Sequence, residues 1–96
     1  MPLDQLLEAT RDLIGILRAM YAAEREPHRR RAYAAAAQAI TRAADVAKVE
    51  PEGSEAYRRA MAEADAAINA VANALHFNAN VAPVLGAAAG RIRKAR

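Results

Sequence analysis

Residues 31–47 read RAYAAAAQAITRAADVA, and this stretch decides how the chain can fold. Nine of its seventeen residues are alanine, and only one isoleucine, one valine and one tyrosine are larger apolar side chains. Alanine favours helix strongly but buries little apolar surface. The stretch is therefore predicted to be a helix whose thin inner face leaves room for a ligand or for the close approach of another helix.

The composition of the whole chain limits the classes of protein it can belong to. Its 96 residues are enough for one domain with one hydrophobic core. The absence of cysteine excludes disulfides and thiolate metal sites. The net charge is +3, and the cations are dispersed except at residues 28–31 and 91–96. Because nucleic-acid-binding proteins usually gather their cations on one face, we expect no specific nucleic-acid binding.

The sequence does not indicate a membrane-spanning segment or a secretory signal. No apolar run approaches the roughly 20 residues that a membrane-spanning helix needs. The first residues, MPLDQLLEATRD, carry acidic side chains where a secretory signal would be basic. We therefore expect a cytoplasmic protein with no membrane partner.

Apolar residues recur with the period of a helix in four segments, at about residues 3–25, 27–49, 55–77 and 81–95. Pro27 separates the first two segments, and Pro51 and Gly53 separate the next two, with Ser54 as a candidate N-cap. The connections are short, so consecutive helices should be antiparallel. The prediction is an all-α, up-down-up-down four-helix bundle that forms a single domain over residues 1–96.

Two stretches resemble the sequences of computationally designed helical bundles, MPLDQLLEATRDLIGILRAM at residues 1–20 and VEPEGSEAYRRAMAEADAAINAVANAL at residues 49–75. Helices filled with Ala, Glu and Arg and separated by short breaks are typical of such designs. A natural protein from a high-GC bacterium would have a similar composition. Gly15 departs from the design style, because glycine inside a helix costs about 1 kcal/mol relative to alanine.

In the predicted topology both histidines and three of the four aromatic residues lie at one pole of the bundle. We predict that a small apolar or aromatic ligand binds near this pole, in an interior lined by alanine. The candidate ligand-binding residues are Thr10, Leu17, Met20, Tyr21, Tyr33, Ala36, Ala37, Ile40, Ala64, Ile68, Leu75, His76 and Asn78. Thr10 occupies a core position, where its hydroxyl can bond back to the Leu6 carbonyl.

Several alternatives remain open at this point. One is self-association through small residues on the outer faces of two helices, namely Gly15, Ala19, Ala22, Ala35, Ala39 and Val46. Another is haem binding with His76 as the iron ligand, although no cofactor is the first expectation. Two histidines without cysteine make a weak zinc site. No catalytic motif is present, so the chain is not expected to be an enzyme. Asp65, Asn69, Asn73 and His76 are expected to form a solvated polar line.

Overall fold

The computed structural model describes residues 3–74, which form three α-helices and no strand. The first helix, α1, spans Leu3–Ala23, α2 spans Pro27–Val49 and α3 spans Glu55–Ala74. The all-α class is confirmed, and α2 begins and ends at the predicted residues. The predicted last turn of the third helix and the predicted fourth helix over residues 81–95 lie outside the described residues.

The end of α1 is set by the side chain of Glu24. The backbone N–H of Glu24 still donates a hydrogen bond to the Met20 carbonyl at 2.9 Å, as in a helix. Its carboxylate then accepts hydrogen bonds from the N–H groups of Arg25 at 3.1 Å and Glu26 at 3.3 Å. These two N–H groups are satisfied without another helical turn, so α1 ends two residues before the predicted position.

The start of α2 combines a proline with an acidic cap. Pro27 occupies the first turn, where its missing N–H leaves no hydrogen bond unmade. The carboxylate of Glu26 accepts from the N–H groups of His28 at 3.0 Å and Arg29 at 2.8 Å. These two bonds, the one from His28 first, lower the pKa of Glu26 below its ordinary value. The turn between α1 and α2 is thus organised by two glutamates that the periodic pattern did not single out.

The turn between α2 and α3 follows the predicted signals. Gly53 has a φ of +85°, a left-handed conformation that glycine adopts without a steric penalty. The Ser54 hydroxyl accepts a hydrogen bond from the Tyr57 N–H at 3.2 Å. This bond satisfies one of the free N–H groups at the start of α3. The predicted N-cap role of Ser54 is therefore confirmed.

The middle helix, α2, packs along both of its neighbours. By contrast, no Cα atom of α1 lies within 8 Å of a Cα atom of α3. The buried residues of α1 and α3 include large side chains such as Leu13 and Met61, whereas most of those on α2 are small. The buried face of α2 consists of Tyr33, Ala36, Ala39, Ile40, Ala43 and Ala47. Small side chains let α2 approach two helices closely at the same time.

Two positions predicted to face outward are buried. Ala39 is only 5% exposed, because the buried arc of α2 is widened to serve two neighbouring helices. Asp65 is 6% exposed, because it follows the core residue Ala64 directly and lies within the buried arc of α3. Asn69 and Asn73, the next members of the predicted polar line, are exposed as expected. The predicted outward positions of Ala39 and Asp65 were therefore wrong.

The hydroxyl of Thr10 forms a hydrogen bond to a backbone carbonyl of its own helix, α1. It donates to the Leu7 carbonyl at 2.8 Å, three residues back, rather than to the Leu6 carbonyl four residues back. Thr10 is 2% exposed, so this bond removes the penalty of burying an unpaired hydroxyl. The core-facing position predicted for Thr10 is correct, and the predicted acceptor was wrong.

Replacing Ala36 by leucine is expected to lower the free energy of unfolding by about 1 to 3 kcal/mol. Ala36 is 0% exposed and lies on the helix that packs against two others, so a larger side chain has to displace its neighbours. Ala35 is exposed, and Ala35→Leu is the matched control, with an expected change within about 0.5 kcal/mol. Urea unfolding measures both. A more stable Ala36→Leu variant would show that unfilled space adjoins Ala36.

Candidate functional site

A groove lies between the second half of α1 and the first half of α2. Its volume is about 380 Å³, its walls are almost wholly apolar, and it is open to solvent along one side. We refer to it as the pole groove, because it lies towards the end of the molecule that contains the α1–α2 turn. The residues that line it are Leu17, Arg18, Tyr21, Tyr33, Ala34 and Ala37.

Tyr33 is held in place by the glutamate that ends α1. Its ring is buried, and its hydroxyl donates a hydrogen bond to Glu24 Oε1 at 3.0 Å. Arg29 Nη1 lies 3.6 Å from the same oxygen. Burial, followed by the hydrogen bond to Glu24, raises the pKa of Tyr33 to about 12. The hydrogen bond from the Glu26 N–H, followed by the one from Tyr33, lowers the pKa of Glu24.

Tyr21 has a more open position on the opposite wall of the pole groove. The residue is 40% exposed. The guanidinium carbon of Arg30 lies 4.3 Å from the centre of its ring, which is the geometry of a cation–π contact. This contact links the last turn of α1 to the first turn of α2. The pole groove therefore has one buried tyrosine and one that remains accessible.

These lining residues offer a binding surface rather than reactive groups. With a pKa of about 12, the Tyr33 phenol keeps its proton at neutral pH and directs it towards Glu24. Arg18 also lines the groove, and its side chain ends in a guanidinium that stays charged and donates hydrogen bonds. Among residues 3–74, no carboxylate or histidine lines the pole groove. The arrangement suits a flat apolar ligand that carries a negative group at one edge.

The structure brings together four of the predicted ligand-binding residues. Leu17, Tyr21, Tyr33 and Ala37 all line the pole groove. The remaining predicted residues among the described positions are not part of its lining. Of these, Met20 is half-buried against the core, and the others are buried in it, namely Thr10, Ala36, Ile40, Ala64 and Ile68. The predicted residues Leu75, His76 and Asn78 lie outside the described residues.

Sequence reasoning missed Arg18, Ala34 and Glu24. Arg18 lies three residues before Tyr21, and Ala34 directly follows Tyr33, so both belong to the edge of the inward-facing pattern rather than to its centre. A search for a second line of apolar residues beside the core line would have found them. Glu24 carries no periodic signal, because it lies in the turn.

Two further features of the described residues concern metal ligands and membrane-spanning helices. Within residues 3–74, no three residues of the types His, Cys, Asp and Glu are grouped so that they could hold a metal ion. No helix in this range is long and apolar enough to cross a membrane. The chain matches no protein-family model, no curated protein and no solved structure.

Replacing Glu24 by glutamine is expected to remove a pH-dependent part of the folding stability. The pKa of Glu24 lies below its ordinary value of 4.5 in the folded protein. Its contribution is therefore present above that value and is lost as the pH falls through the lowered pKa of the folded state. Melting temperatures followed by circular dichroism should be lower for Glu24→Gln than for the unchanged protein at pH 7, and the two should converge at acidic pH.

The matched control is Glu63→Gln, which removes the same charge from an exposed position on α3. We expect it to leave the melting temperature at pH 7 unchanged. An equal loss in the two variants would mean that net charge, rather than the contacts of Glu24, is responsible.

Proposed function

We propose that this protein is a non-enzymatic binding module that holds a small aromatic anion in the pole groove. The observation that carries the proposal is that an almost wholly apolar groove is lined by two tyrosines and by one arginine, Arg18. Aromatic ligands pack favourably against tyrosine rings, and a carboxylate or sulfonate pairs with a guanidinium. Small-molecule sites typically combine an apolar lining with a few polar groups that orient the ligand.

The size of the pole groove favours a ligand of one or two rings. Its volume of about 380 Å³ lies near the lower end of the range for small-molecule sites, roughly 300 to 1,000 Å³. The haem alternative depends on His76, which lies outside the described residues. A compact aromatic acid is therefore a better match to the described groove than a macrocycle.

The proposed ligand is tested with two probes, naphthalene-2-carboxylate and the fluorescent aromatic sulfonate anilinonaphthalene sulfonate, measured by calorimetry and fluorescence. Replacing Ala34 by leucine fills the pole groove and should weaken the binding of both by at least about tenfold, because the larger side chain takes the space of the ring. Ala35→Leu adds the same side chain at the next position, which does not line the groove, and should leave binding unchanged.

The role of the guanidinium is tested with Arg18→Gln. This variant should weaken binding of the carboxylate but not of its uncharged analogue, naphthalene-2-carboxamide, because only the carboxylate pairs with a guanidinium. If neither probe binds, or if Ala34→Leu and Ala35→Leu bind equally, the proposed site is wrong.

Self-association is the second candidate function. Gly15, Ala19 and Ala22 are exposed on α1, and small exposed residues allow a second helix to approach closely. Sedimentation equilibrium separates this function from ligand binding, since the pole groove is formed within one chain. A dimer that persists in the Ala34→Leu variant would favour self-association.

We also propose that residues 1–96 form an antiparallel four-helix bundle. Because α1 and α3 do not approach each other, they are arranged as the diagonal helices of such a bundle would be, whereas in a three-helix bundle they would be neighbours. Residues 81–95 carry apolar side chains at helical spacing, with Val81, Leu85 and Ile92 on one predicted face. A fourth helix there would complete the side between α1 and α3.

The proposed bundle is tested with Leu85→Asp and its control Ala87→Asp. Leu85 lies on the predicted inner face and Ala87 on the opposite one. Leu85→Asp should lower the free energy of unfolding by about 1.5 to 3 kcal/mol or more, because burial of one leucine side chain contributes about that much. Ala87→Asp should change it by no more than about 0.5 kcal/mol. Equal effects in urea unfolding would contradict the proposed fourth helix.

A further inference from the structure

The pole groove is one end of a longer groove along the outer side of the α1–α2 pair. Two further depressions adjoin it, and all three share Arg18. Ala37 joins the first to the second, and Ile14 and Thr41 join the second to the third. We call the whole depression the long groove. It extends from Leu7 to Tyr21 on α1, which is about 21 Å at 1.5 Å per residue.

The floor of the long groove has the spacing of a helix-packing seam. On α1, the half-buried side chains of Leu7 and Ile14 are seven residues apart, and Tyr21 follows after another seven. On α2, Ala37 and Ala44 are also seven residues apart and half-buried. Apolar residues repeated at this interval present a continuous stripe to a packed helix. The long groove is therefore shaped for an additional helix of about four turns, packed against the α1–α2 pair.

Gly15 lines the long groove, and nothing within residues 3–74 requires a glycine there. It lies inside α1, where glycine weakens a helix relative to alanine. The only described glycine with a left-handed backbone is Gly53. A Cβ atom added at Gly15 would meet no heavy atom within 4 Å, so internal packing does not require glycine either. A backbone that approaches from outside the chain does explain a missing side chain at this position.

The rim of the long groove is positively charged. Arg11, Arg18 and Arg42 line it and take part in no ion pair within the described residues. Lys48 lies 3.8 Å from Asp45, and both of these side chains are mostly exposed. Three unpaired guanidinium groups thus border an apolar floor, and they would attract carboxylates on an incoming surface.

This charge also decides against two occupants from the same chain. A second copy bound through the long groove would place two rows of arginine against each other, which is unfavourable. Residues 75–96, which follow α3, contain no aspartate or glutamate and four arginine or lysine residues. Neither the rim of a second copy nor the sequence of residues 75–96 supplies the negative charge that would complement the rim.

We infer that the long groove binds an amphipathic helix of a partner protein whose apolar stripe is flanked by acidic residues. The stripe lies on Leu7, Ile14 and Ala44, its backbone comes close to α1 at Gly15, and its carboxylates pair with Arg11 and Arg42. This interaction goes beyond the binding of an aromatic anion. The residues assigned to it, Leu7, Arg11, Ile14, Gly15, Arg42 and Ala44, do not line the pole groove.

The test uses two synthetic helical peptides of about 15 residues, the length of the long groove. Both have leucine at the positions of the stripe, and they differ only in carrying glutamate or lysine beside it. The acidic peptide should bind at least tenfold more tightly than the basic one in fluorescence anisotropy at moderate salt. Its affinity should fall as salt is added, because exposed charge pairs are screened.

Charge reversal locates the site. The double variant Arg11→Glu/Arg42→Glu should reverse the preference between the two peptides. The control Arg31→Glu/Arg58→Glu makes the same change in net charge at exposed positions outside the long groove and should leave the preference as it was. Arg11 and Arg42 do not line the pole groove, so naphthalene-2-carboxylate binding should stay the same in both variants. Failure of this inference is thereby distinguishable from failure of the proposed ligand site.

Gly15→Leu supplies a second variant that keeps the fold. Its side chain enters open space in the free protein, and leucine favours helix over glycine, so the melting temperature should rise. Binding of the acidic peptide should nevertheless weaken at least tenfold. Ala19→Leu, on the exposed side of α1 and outside the groove lining, is the control and should bind the peptide normally.

Four results would overturn the inference. The two peptides could bind equally, or Gly15→Leu could bind as the unchanged protein does. Sedimentation could show a dimer that Gly15→Leu dissociates, which would assign the long groove to a second copy. A short DNA duplex could bind more tightly than the acidic peptide and lose affinity in Arg11→Glu/Arg42→Glu, which would assign the rim to nucleic acid.

Discussion

The close packing of α2 against two helices at once is the constraint on which the rest of the described structure depends. A helix that lies between two others can approach both closely when most of its buried side chains are small. Four of the six buried residues of α2 are alanine. The larger side chains are then supplied from the other side of each contact, by residues such as Leu13 on α1 and Met61 on α3. Dispersion contacts between these unequal faces depend on short distances, so the packing tolerates little added volume.

The turn between α1 and α2 converts this packing into a defined surface. The carboxylate of Glu24 accepts hydrogen bonds from two backbone N–H groups and from the Tyr33 hydroxyl, and it forms an ion pair with Arg29. A single carboxylate therefore fixes where α1 ends and where the ring of Tyr33 lies. Because that ring forms part of the pole groove, the shape of the groove depends on a residue that does not line it.

Much of the described fold follows from local sequence signals. The helical period and its breaks predict both ends of α2 correctly. Pro27 begins a helix, Gly53 adopts a left-handed turn conformation and Ser54 caps a helix, as the chemistry of each residue predicts. These features depend on a few consecutive residues, and sequence reasoning handles such features well. The burial of Ala39 and Asp65 depends instead on how many helices surround a given face, which the period of one helix does not reveal.

The candidate site was predicted only in part for the same reason. Leu17, Tyr21, Tyr33 and Ala37 were found because they belong to the inward pattern at one pole. Arg18 and Ala34 were missed because a groove between two helices is lined by the edges of their buried faces. Those edges become adjacent only after the helices pack, and their pairing depends on the spacing and the register of the two helices. The carboxylate of Glu24, in the turn, adds a contact with Tyr33 that no periodicity encodes.

The central place of α2 has a consequence for how the molecule opens. Within residues 3–74, both outer helices use α2 as their neighbour and lack close backbone contact with each other. A fluctuation that displaces α2 therefore removes the packing surface of α1 and of α3 together. Slow amide hydrogen exchange in the three helices should then reflect one cooperative opening rather than the separate fraying of each helix. The short turns keep most contacts close in sequence, which is the topology of a rapidly folding unit.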